Sequence, residues 1–305
     1  MDLSLSSDQI AVLDALDSLA KPYEAAPLHG TGFALTDPGL DRALAGGGFL
    51  DVGFDPDLGI ATAGLVVERL ARLPQASEAA SSAIVRPLLG DGVGSPLCMV
   101  EEDKLLRPVR FLREGATVVV AGRSVTSFVA TAGQVRAEPE ALFGYPVATL
   151  LSLPEARTDH AVDAALLRTH WRIALAAESA GLLAAALASV CAHTTERQQF
   201  GRPLASFQGL RHRLAEAQVR TNGVYWLAMK AAATLDPADA ALAALHAQET
   251  ARAVVYDFHQ FMGAMGMTLE HPLHLWTYRL KLLAGELGGR GGNALAAAET
   301  LWGSA

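Results

Sequence analysis

The sequence predicts a mainly α-helical protein with a small β domain in its middle. Three observations lead to this fold class. Residues 1–89 place apolar side chains at helical spacing, residues 90–154 change to short runs rich in β-branched residues, and residues 155–305 return to helix in very long pieces. We therefore expect an N-terminal helical domain over 1–89, a reduced β domain over 90–154 and a C-terminal four-helix bundle over 155–305.

The first domain begins with a helix start signal. Residues 6–9 have the S-x-x-Q pattern of a capping box, in which two side chains satisfy two free backbone N–H groups. A stretch rich in Gly and Pro follows up to Pro38. Further helices are predicted over 40–45, 60–73 and 76–89.

The middle domain is predicted from its short runs of strand-forming residues and from the residues that interrupt them. The runs 109–112, 117–120 and 125–130 carry β-branched and aromatic residues between Gly, Asp and Glu. They indicate a small antiparallel sheet or barrel. No G-x-G-x-x-G motif follows a strand here, so a dinucleotide-binding βαβ unit is not expected.

The last domain is predicted as four long helices over 159–196, 204–234, 237–262 and 272–302. Pro203, Pro237 and Pro272 mark the connections between them. Helices of this length with short connections form an antiparallel bundle.

The composition excludes several classes of protein. The chain has 305 residues, of which 51% are hydrophobic and 18% charged, so it can bury enough surface to fold. A net charge of −8 argues against a protein that binds nucleic acid through its phosphates. Two cysteines, Cys98 and Cys191, are too few for a disulfide framework or a Cys-rich metal site.

One segment is long and apolar enough to raise the question of a membrane span. Residues 173–192 carry a single charge, Glu178, but they consist largely of Ala, Gly and Ser, and the helical pattern continues at both ends. We expect a central helix surrounded by neighbours, and no membrane span. The N-terminus has no basic region followed by an apolar core, so a cytoplasmic location is expected.

Two segments of the C-terminal domain carry a family resemblance. Residues 196–208 read E-R-Q-Q-F-G-R-P-L-A-S-F-Q, and residues 260–274 read Q-F-M-G-A-M-G-M-T-L-E-H-P-L-H. They resemble the E-R-x-Q-F-G-x-P-L-x-x-F-Q and Q-x-x-G-G-x-G-x-T-x-E-x-P-L-H stretches of the acyl-CoA dehydrogenase family. Residues 3–9 and 67–72 match weaker patterns of the family, so the resemblance runs along the chain in order.

The resemblance implies an FAD site to which this chain contributes the part that reaches the cofactor of a neighbouring chain. A guanidinium suits a pyrophosphate because it offers a planar fork of donors, although a lone arginine such as Arg197 more often forms a surface ion pair. Likewise, a glycine after a helix can let backbone approach a ligand or can simply end the helix. The implied FAD contacts are Arg197, Gln199, Phe200, Leu204, Gln208, Gln260, Gly263 and Ala264, the last standing where the family has a second glycine.

No catalytic residue is assigned. Family members remove the α proton of the acyl group with a glutamate, and most carry it in an E-G-T motif. Counting forward here places Leu287 at that position, with Glu286 one residue early, and one residue turns a helical side chain by about 100°. Other members place the base on the first long bundle helix, and that position falls near Trp171.

The departures from the family are as informative as the matches. Nothing between Gly90 and Pro154 matches the T-E-P-x-A-G-S-D loop that meets the flavin ring in family members, and the middle domain is short. The chain keeps the motifs that reach a partner's cofactor and lacks those that hold its own flavin ring and supply the base. In this it resembles one subunit of the heterotetrameric α2β2 acyl-CoA dehydrogenases of actinobacterial steroid catabolism. This resemblance implies a homologous partner subunit that supplies the base, a bulky acyl-CoA substrate, FAD as cofactor and an electron-transfer flavoprotein as acceptor.

Two alternatives stay open. The chain could form a self-sufficient homotetramer that uses Glu286, or it could be a cofactor-free structural partner of a related enzyme. A metal site is not expected, because His271 and His274 lack the i, i+4 spacing of a zinc-binding helix.

Overall fold

The computed structural model describes residues 4–26 and 33–303, so the stretch predicted before Pro38 lies partly outside the described residues. Helices occupy both ends of the chain and strands lie between them, which confirms the predicted fold class. The helices are α1 (Ser7–Ala20), α2 (Pro38–Gly46), α3 (Gly59–Ala71), α4 (Arg86–Leu89), α5 (Ala164–Glu196), α6 (Gln208–Thr234), α7 (Pro237–Met262), α8 (Leu273–Leu283) and α9 (Gly289–Trp302).

The N-terminal helices follow their sequence signals. The Ser6 hydroxyl accepts from the Gln9 N–H and the Gln9 side chain accepts from the Ser6 N–H, which confirms the capping box. The helix predicted over 76–89 is wrong at its start, because Ala76 lies outside it and its N–H donates to the Leu35 carbonyl. Its middle is a π-helical turn, Ser81–Val85, which leads directly into α4.

The middle region contains two small sheets and is not purely antiparallel. One sheet has the order β1-β3-β4-β7 and the other β2-β6-β5. The β1 and β3 strands run parallel, which corrects the prediction, and the other pairs in these sheets run antiparallel. The strands are β1 (Leu97–Glu101), β2 (Pro108–Arg110), β3 (Thr117–Ala121), β4 (Val125–Val129), β5 (Val135–Ala137), β6 (Val147–Leu150) and β7 (Thr158–His160).

The α5 helix forms the centre of the bundle and packs against α3, α6, α7 and α8. It is the one helix among the described residues that could cross a membrane by length and composition, yet 78% of its most apolar 18-residue window is buried inside the protein. The predicted start at residue 159 is wrong, because β7 occupies this segment and the Asp163 side chain caps the helix by accepting from the Ala165 N–H.

The last predicted helix, over 272–302, is in fact two helices. A 3-10 turn, Glu286–Gly288, separates α8 from α9, and Leu287 within it has a left-handed φ of 54°. The α6 helix also starts later than predicted, because a 3-10 turn, Leu204–Ser206, precedes it. The break after α8 matters for the site because it sets the position of Glu286.

The α3 and α5 helices cross at very short range, and Gly181 makes this crossing possible. A Cβ at Gly181 would collide with the Glu68 carbonyl oxygen and would lie 2.8 Å from the Ala71 Cβ. Only a residue without a side chain lets the two backbones approach so closely. This crossing joins the N-terminal helices to the bundle through one buried core that contains residues of both.

Candidate functional site

The two family-like segments come together at one end of the bundle. The Arg213 guanidinium, in the second turn of α6, pairs with the Asp257 carboxylate of α7 and lies 5.2 Å from the Phe261 ring. The His193 ring, in the last turn of α5, lies 5.9 Å from the His271 ring. The end of α5, the start of α6 and the end of α7 therefore form one surface.

The predicted FAD-contact residues lie on this surface, which we call the bundle-end surface. All but one are exposed to solvent, the half-buried Leu204 being the exception, and Phe200 is 90% exposed. The Phe200 backbone has a left-handed φ of 55° at the tip of a hairpin between β8 (Gln198–Gln199) and β9 (Arg202–Pro203). The members are Arg197, Gln199, Phe200, Leu204, Gln208, Gln260, Gly263 and Ala264.

The polar groups of the bundle-end surface are available to bind a ligand. The Arg197 side chain makes no hydrogen bond or ion pair within the described residues, and neither do the Gln199 and Gln260 amides. The Gln208 amide lies 3.5 Å from the His212 ring nitrogen. A guanidinium, several amides and an exposed aromatic ring are a donor set that fits a pyrophosphate joined to a heteroaromatic base.

The end of α7 requires a glycine. Gly263 has φ 59° and ψ −137°, a conformation that an L-residue with a side chain adopts only with strain. A Cβ at Gly263 would meet no atom within 4 Å, so the backbone here is open to an approaching group. Gly263 therefore ends α7, as one of the two sequence-based interpretations predicts, and its backbone is exposed.

A second polar site lies inside the protein, between the sheets and the bundle. We call it the interior ion cluster; it comprises Arg110, Tyr145, Trp171, Glu178 and Glu286. The Arg110 guanidinium, from β2, forms an ion pair with Glu178 of α5 and donates through Nε to Glu286 Oε1 at 3.0 Å. Burial lowers the pKa of Arg110, but the two carboxylates raise it more, so the guanidinium is held charged.

The interior ion cluster is closed by two further donors. The Tyr145 hydroxyl donates to Glu178 Oε1 at 2.7 Å, and the Trp171 Nε1–H donates to Glu286 Oε2 at 2.7 Å. Burial raises the pKa of Tyr145 well above its ordinary value, with a further contribution from Glu178, so the hydroxyl keeps its proton. Both oxygens of Glu286 are therefore engaged within the chain.

Glu286, one residue before the position that aligns with the E-G-T glutamate, and Trp171, near the alternative base position on the first long bundle helix, are in direct contact. Glu286 lines a cleft of about 190 Å³ between the first strands and α8. Burial raises the pKa of its carboxyl, although Arg110 and Trp171 act in the opposite direction. The structure thus brings Glu286 to a position where a ligand could meet it.

Sequence reasoning did not identify Arg110, Tyr145 or Glu178 as site residues. The signal for Glu178 was present, because a single charge in an apolar buried helix requires a partner. No spacing rule connects it with Arg110, which is 68 residues away along the chain.

Among the described residues, no group of three or more His, Cys, Asp or Glu side chains could hold a metal ion.

Comparison with known proteins points to one family. The profile of the acyl-CoA dehydrogenase C-terminal domain matches residues 165–289. The acyl-CoA dehydrogenase IpdE2 of Mycolicibacterium smegmatis is 28% identical over 258 residues, which cover 75% of this chain and 83% of the relative.

Two solved structures share the fold over nearly the whole chain. One chain of the ChsE4-ChsE5 complex of Mycobacterium tuberculosis superimposes with a TM-score of 0.72 at 18% identity. The match covers 100% of this chain and 100% of that chain. The Tcur3481-Tcur3483 steroid ACAD, in its G363A variant, gives a TM-score of 0.71 at 22% identity, covering 96% of this chain and 98% of the other.

Proposed function

We propose that this chain, whose residues 165–289 match the acyl-CoA dehydrogenase C-terminal domain, is one subunit of a heterotetrameric α2β2 acyl-CoA dehydrogenase. The enzyme forms an α,β double bond in a bulky, steroid-derived acyl-CoA and binds FAD across the interface between two homologous subunits. Two structural neighbours support this proposal: the ChsE4-ChsE5 complex, which consists of two different chains, and the Tcur3481-Tcur3483 steroid ACAD. We place the enzyme in the cytoplasm, with an electron-transfer flavoprotein as its electron acceptor.

One observation carries the proposal: the bundle-end surface presents a guanidinium and amides that make no hydrogen bond or ion pair within the described residues, beside an exposed aromatic ring. Phe200 is 90% exposed, and the neighbouring Arg197 guanidinium has no hydrogen bond or ion pair within the described residues. An exposed aromatic ring at a hairpin tip and an unpaired guanidinium at its base are suited to a cofactor held mainly by another chain.

The residues of the bundle-end surface would divide the work of holding FAD. Arg197 would bind the pyrophosphate, and the amides of Gln199, Gln208 and Gln260 would donate to its oxygens and to the adenosine. Phe200 and Leu204 would pack on the adenine, while the backbone at Gly263 and Ala264 would approach closely. When bound, FAD supplies the hydride acceptor of the reaction.

The base would come from the homologous subunit. In this chain the Glu286 carboxylate already accepts from Arg110 and Trp171, and it balances the buried charge of Arg110. A base must instead be free to take a proton from the substrate carbon. The interior ion cluster thus supports a structural role for Glu286 in the heterotetramer.

Co-expression with a homologous subunit encoded by an adjacent gene tests the proposal. We expect the two chains to co-purify as a yellow tetramer with one FAD for every two chains, counted by absorbance. This chain purified alone should be colourless and inactive. A yellow, active homo-oligomer of this chain alone would contradict the proposal.

A second candidate is a self-sufficient homotetramer that uses Glu286 as its base. The position of Glu286 in the cleft and the upward shift of its carboxyl pKa favour this alternative. In that case Glu286→Gln should abolish the activity of the homo-oligomer while FAD stays bound. If activity appears only with the partner subunit, the alternative is excluded.

A further inference from the structure

The cleft beside the interior ion cluster has apolar walls. It has a volume of about 190 Å³ and lies between β1, β2, α8 and the turn that carries Glu286. Leu97, Met99 and Val109 line the strand side, and Phe143 and Leu282 line the opposite side. Such walls suit a short hydrocarbon body, which gains free energy by leaving water.

One accessible polar group lies at the floor of this cleft. The side chain of Glu286 is 15% exposed, so its carboxylate can be reached from the cleft, whereas that of Arg110 is 9% exposed. A carboxylate has about four lone-pair positions, and Glu286 uses two of them for Arg110 and Trp171. The floor can therefore accept a further hydrogen bond from a ligand hydroxyl.

The mouth of the cleft is cationic. Lys104, Arg107 and Lys281 line it, and among the described residues only Lys104 has an ion-pair partner, Glu101. Arg107 donates to the Gly285 carbonyl oxygen at 3.1 Å, and the Lys281 ammonium lies 5.7 Å from the centre of the Phe143 ring. The mouth therefore has an excess of positive charge in a protein whose net charge is −8, and it would attract an organic anion.

From this arrangement we infer that the cleft binds a short hydroxy acid. The carboxylate of the ligand lies at the mouth with Arg107 and Lys281, its hydrocarbon body packs between the walls, and its far hydroxyl donates to Glu286. This site is separate from the bundle-end surface and adds a ligand to the chain beyond the shared FAD.

A matched set of small molecules tests the site on the full chain. Isothermal titration would compare ω-hydroxyhexanoate with hexanoate, which lacks the hydroxyl, and with methyl ω-hydroxyhexanoate, which lacks the charge. The butanoate and octanoate homologues of the hydroxy acid set the length. We expect the best hydroxy acid to bind about tenfold more tightly than its deoxy and ester counterparts, as one charge-assisted hydrogen bond or one ion contact provides.

Variants connect this preference with the named residues. Arg107→Gln and Lys281→Gln should each weaken the acid and leave the ester unchanged, while Glu286→Ala should make the hydroxy acid and the plain acid bind equally. Arg136→Gln, which removes an exposed cation from β5, is the control and should change nothing.

Equal affinity of hydroxy and plain acids for the unaltered chain, or no saturable binding at any length, would overturn the inference. Neither result depends on how well a variant folds. FAD retention with the partner subunit is measured separately, so failure of this site is distinguishable from failure of the proposed function.

Discussion

The interior ion cluster and the bundle-end surface use similar side chains in opposite ways. In the cluster, Arg110 is only 8% exposed, and two glutamates of the same chain neutralise it. On the surface, Arg197 is exposed and has no hydrogen-bonding or ion-pairing partner in the described part of the chain. The first arginine is thus part of how the chain folds, and the second is available to a molecule outside it.

The strongest test of this contrast removes the buried cation. Arg110→Met should lower the free energy of unfolding by about 3–5 kcal/mol, because it leaves Glu178 and Glu286 buried without a positive partner. Urea unfolding followed by circular dichroism measures the effect. Arg220→Met is the control: this exposed arginine pairs with Glu216 on the same helix, and its loss should not change stability measurably. Equal losses in both variants would remove the distinction between the two regions.

The interior also predicts a pH dependence. Glu78 accepts from the Ser82 N–H at 3.0 Å and from its hydroxyl at 2.6 Å, and burial raises its pKa from 4.5 to about 7 despite these bonds. At a pH between these two pKa values, the Glu78 carboxyl keeps its proton in the folded state and loses it in the unfolded chain. The free energy of unfolding should therefore fall by about 3 kcal/mol as the pH rises from about 4.5 to 7.

Glu78→Gln should reduce this slope and make the protein more stable than the unaltered chain at about pH 8, because the glutamine needs no proton to stay neutral. Urea midpoints at about pH 5 and about pH 8 measure the slope. Glu140→Gln, at an exposed position outside the helices and strands, is the matched control. An unchanged slope in the Glu78 variant would assign the pH dependence to another group.

On the bundle-end surface the expected effect falls on the cofactor and not on the fold. Arg197→Ala should weaken FAD retention in the complex about tenfold, since one charge-assisted hydrogen bond is lost, and should leave urea unfolding unchanged. FAD released on gel filtration is read by absorbance, with Arg220→Ala as the control. Loss of stability without loss of FAD would place Arg197 in the same class as Arg110.

The smallest expected effect concerns the contact between Trp171 and Glu286. Trp171→Phe removes the hydrogen bond to Glu286 and should cost about 1 kcal/mol of unfolding free energy. Trp226→Phe serves as the control, because Trp226 is 47% exposed. If both changes cost the same, the hydrogen bond adds nothing to the interior ion cluster.

The sequence predicted helix boundaries best where both ends of a helix carry a strong start or stop signal. The α7 helix begins at Pro237 and ends at Met262, as predicted, because a proline fits its first turn and Gly263 adopts a conformation that ends it. The helix predicted over 272–302 failed at Glu286–Gly288 because the apolar pattern continues through the break. There, Leu287 is buried although its backbone is left-handed, which packing decides and periodicity does not show.

The candidate sites differ in the same way. The bundle-end surface comes from two contiguous segments with a family pattern, so the sequence was enough to propose its members. The interior ion cluster joins Arg110, Glu178 and Glu286 from a strand, a helix and a turn, far apart along the chain. Similarly, the parallel pairing of β1 with β3 depends on tertiary contacts and leaves no local mark in the sequence.

The close crossing at Gly181 has a consequence for motion. Because the α3 backbone fits directly against that of α5, neither helix can slide or tilt without opening a gap in the shared core. The central amides of both helices should therefore show one common free energy of opening in hydrogen–deuterium exchange, as a single cooperative unit. In the proposed heterotetramer, the N-terminal helices would then act as a fixed brace that keeps the long bundle from twisting at the subunit interface.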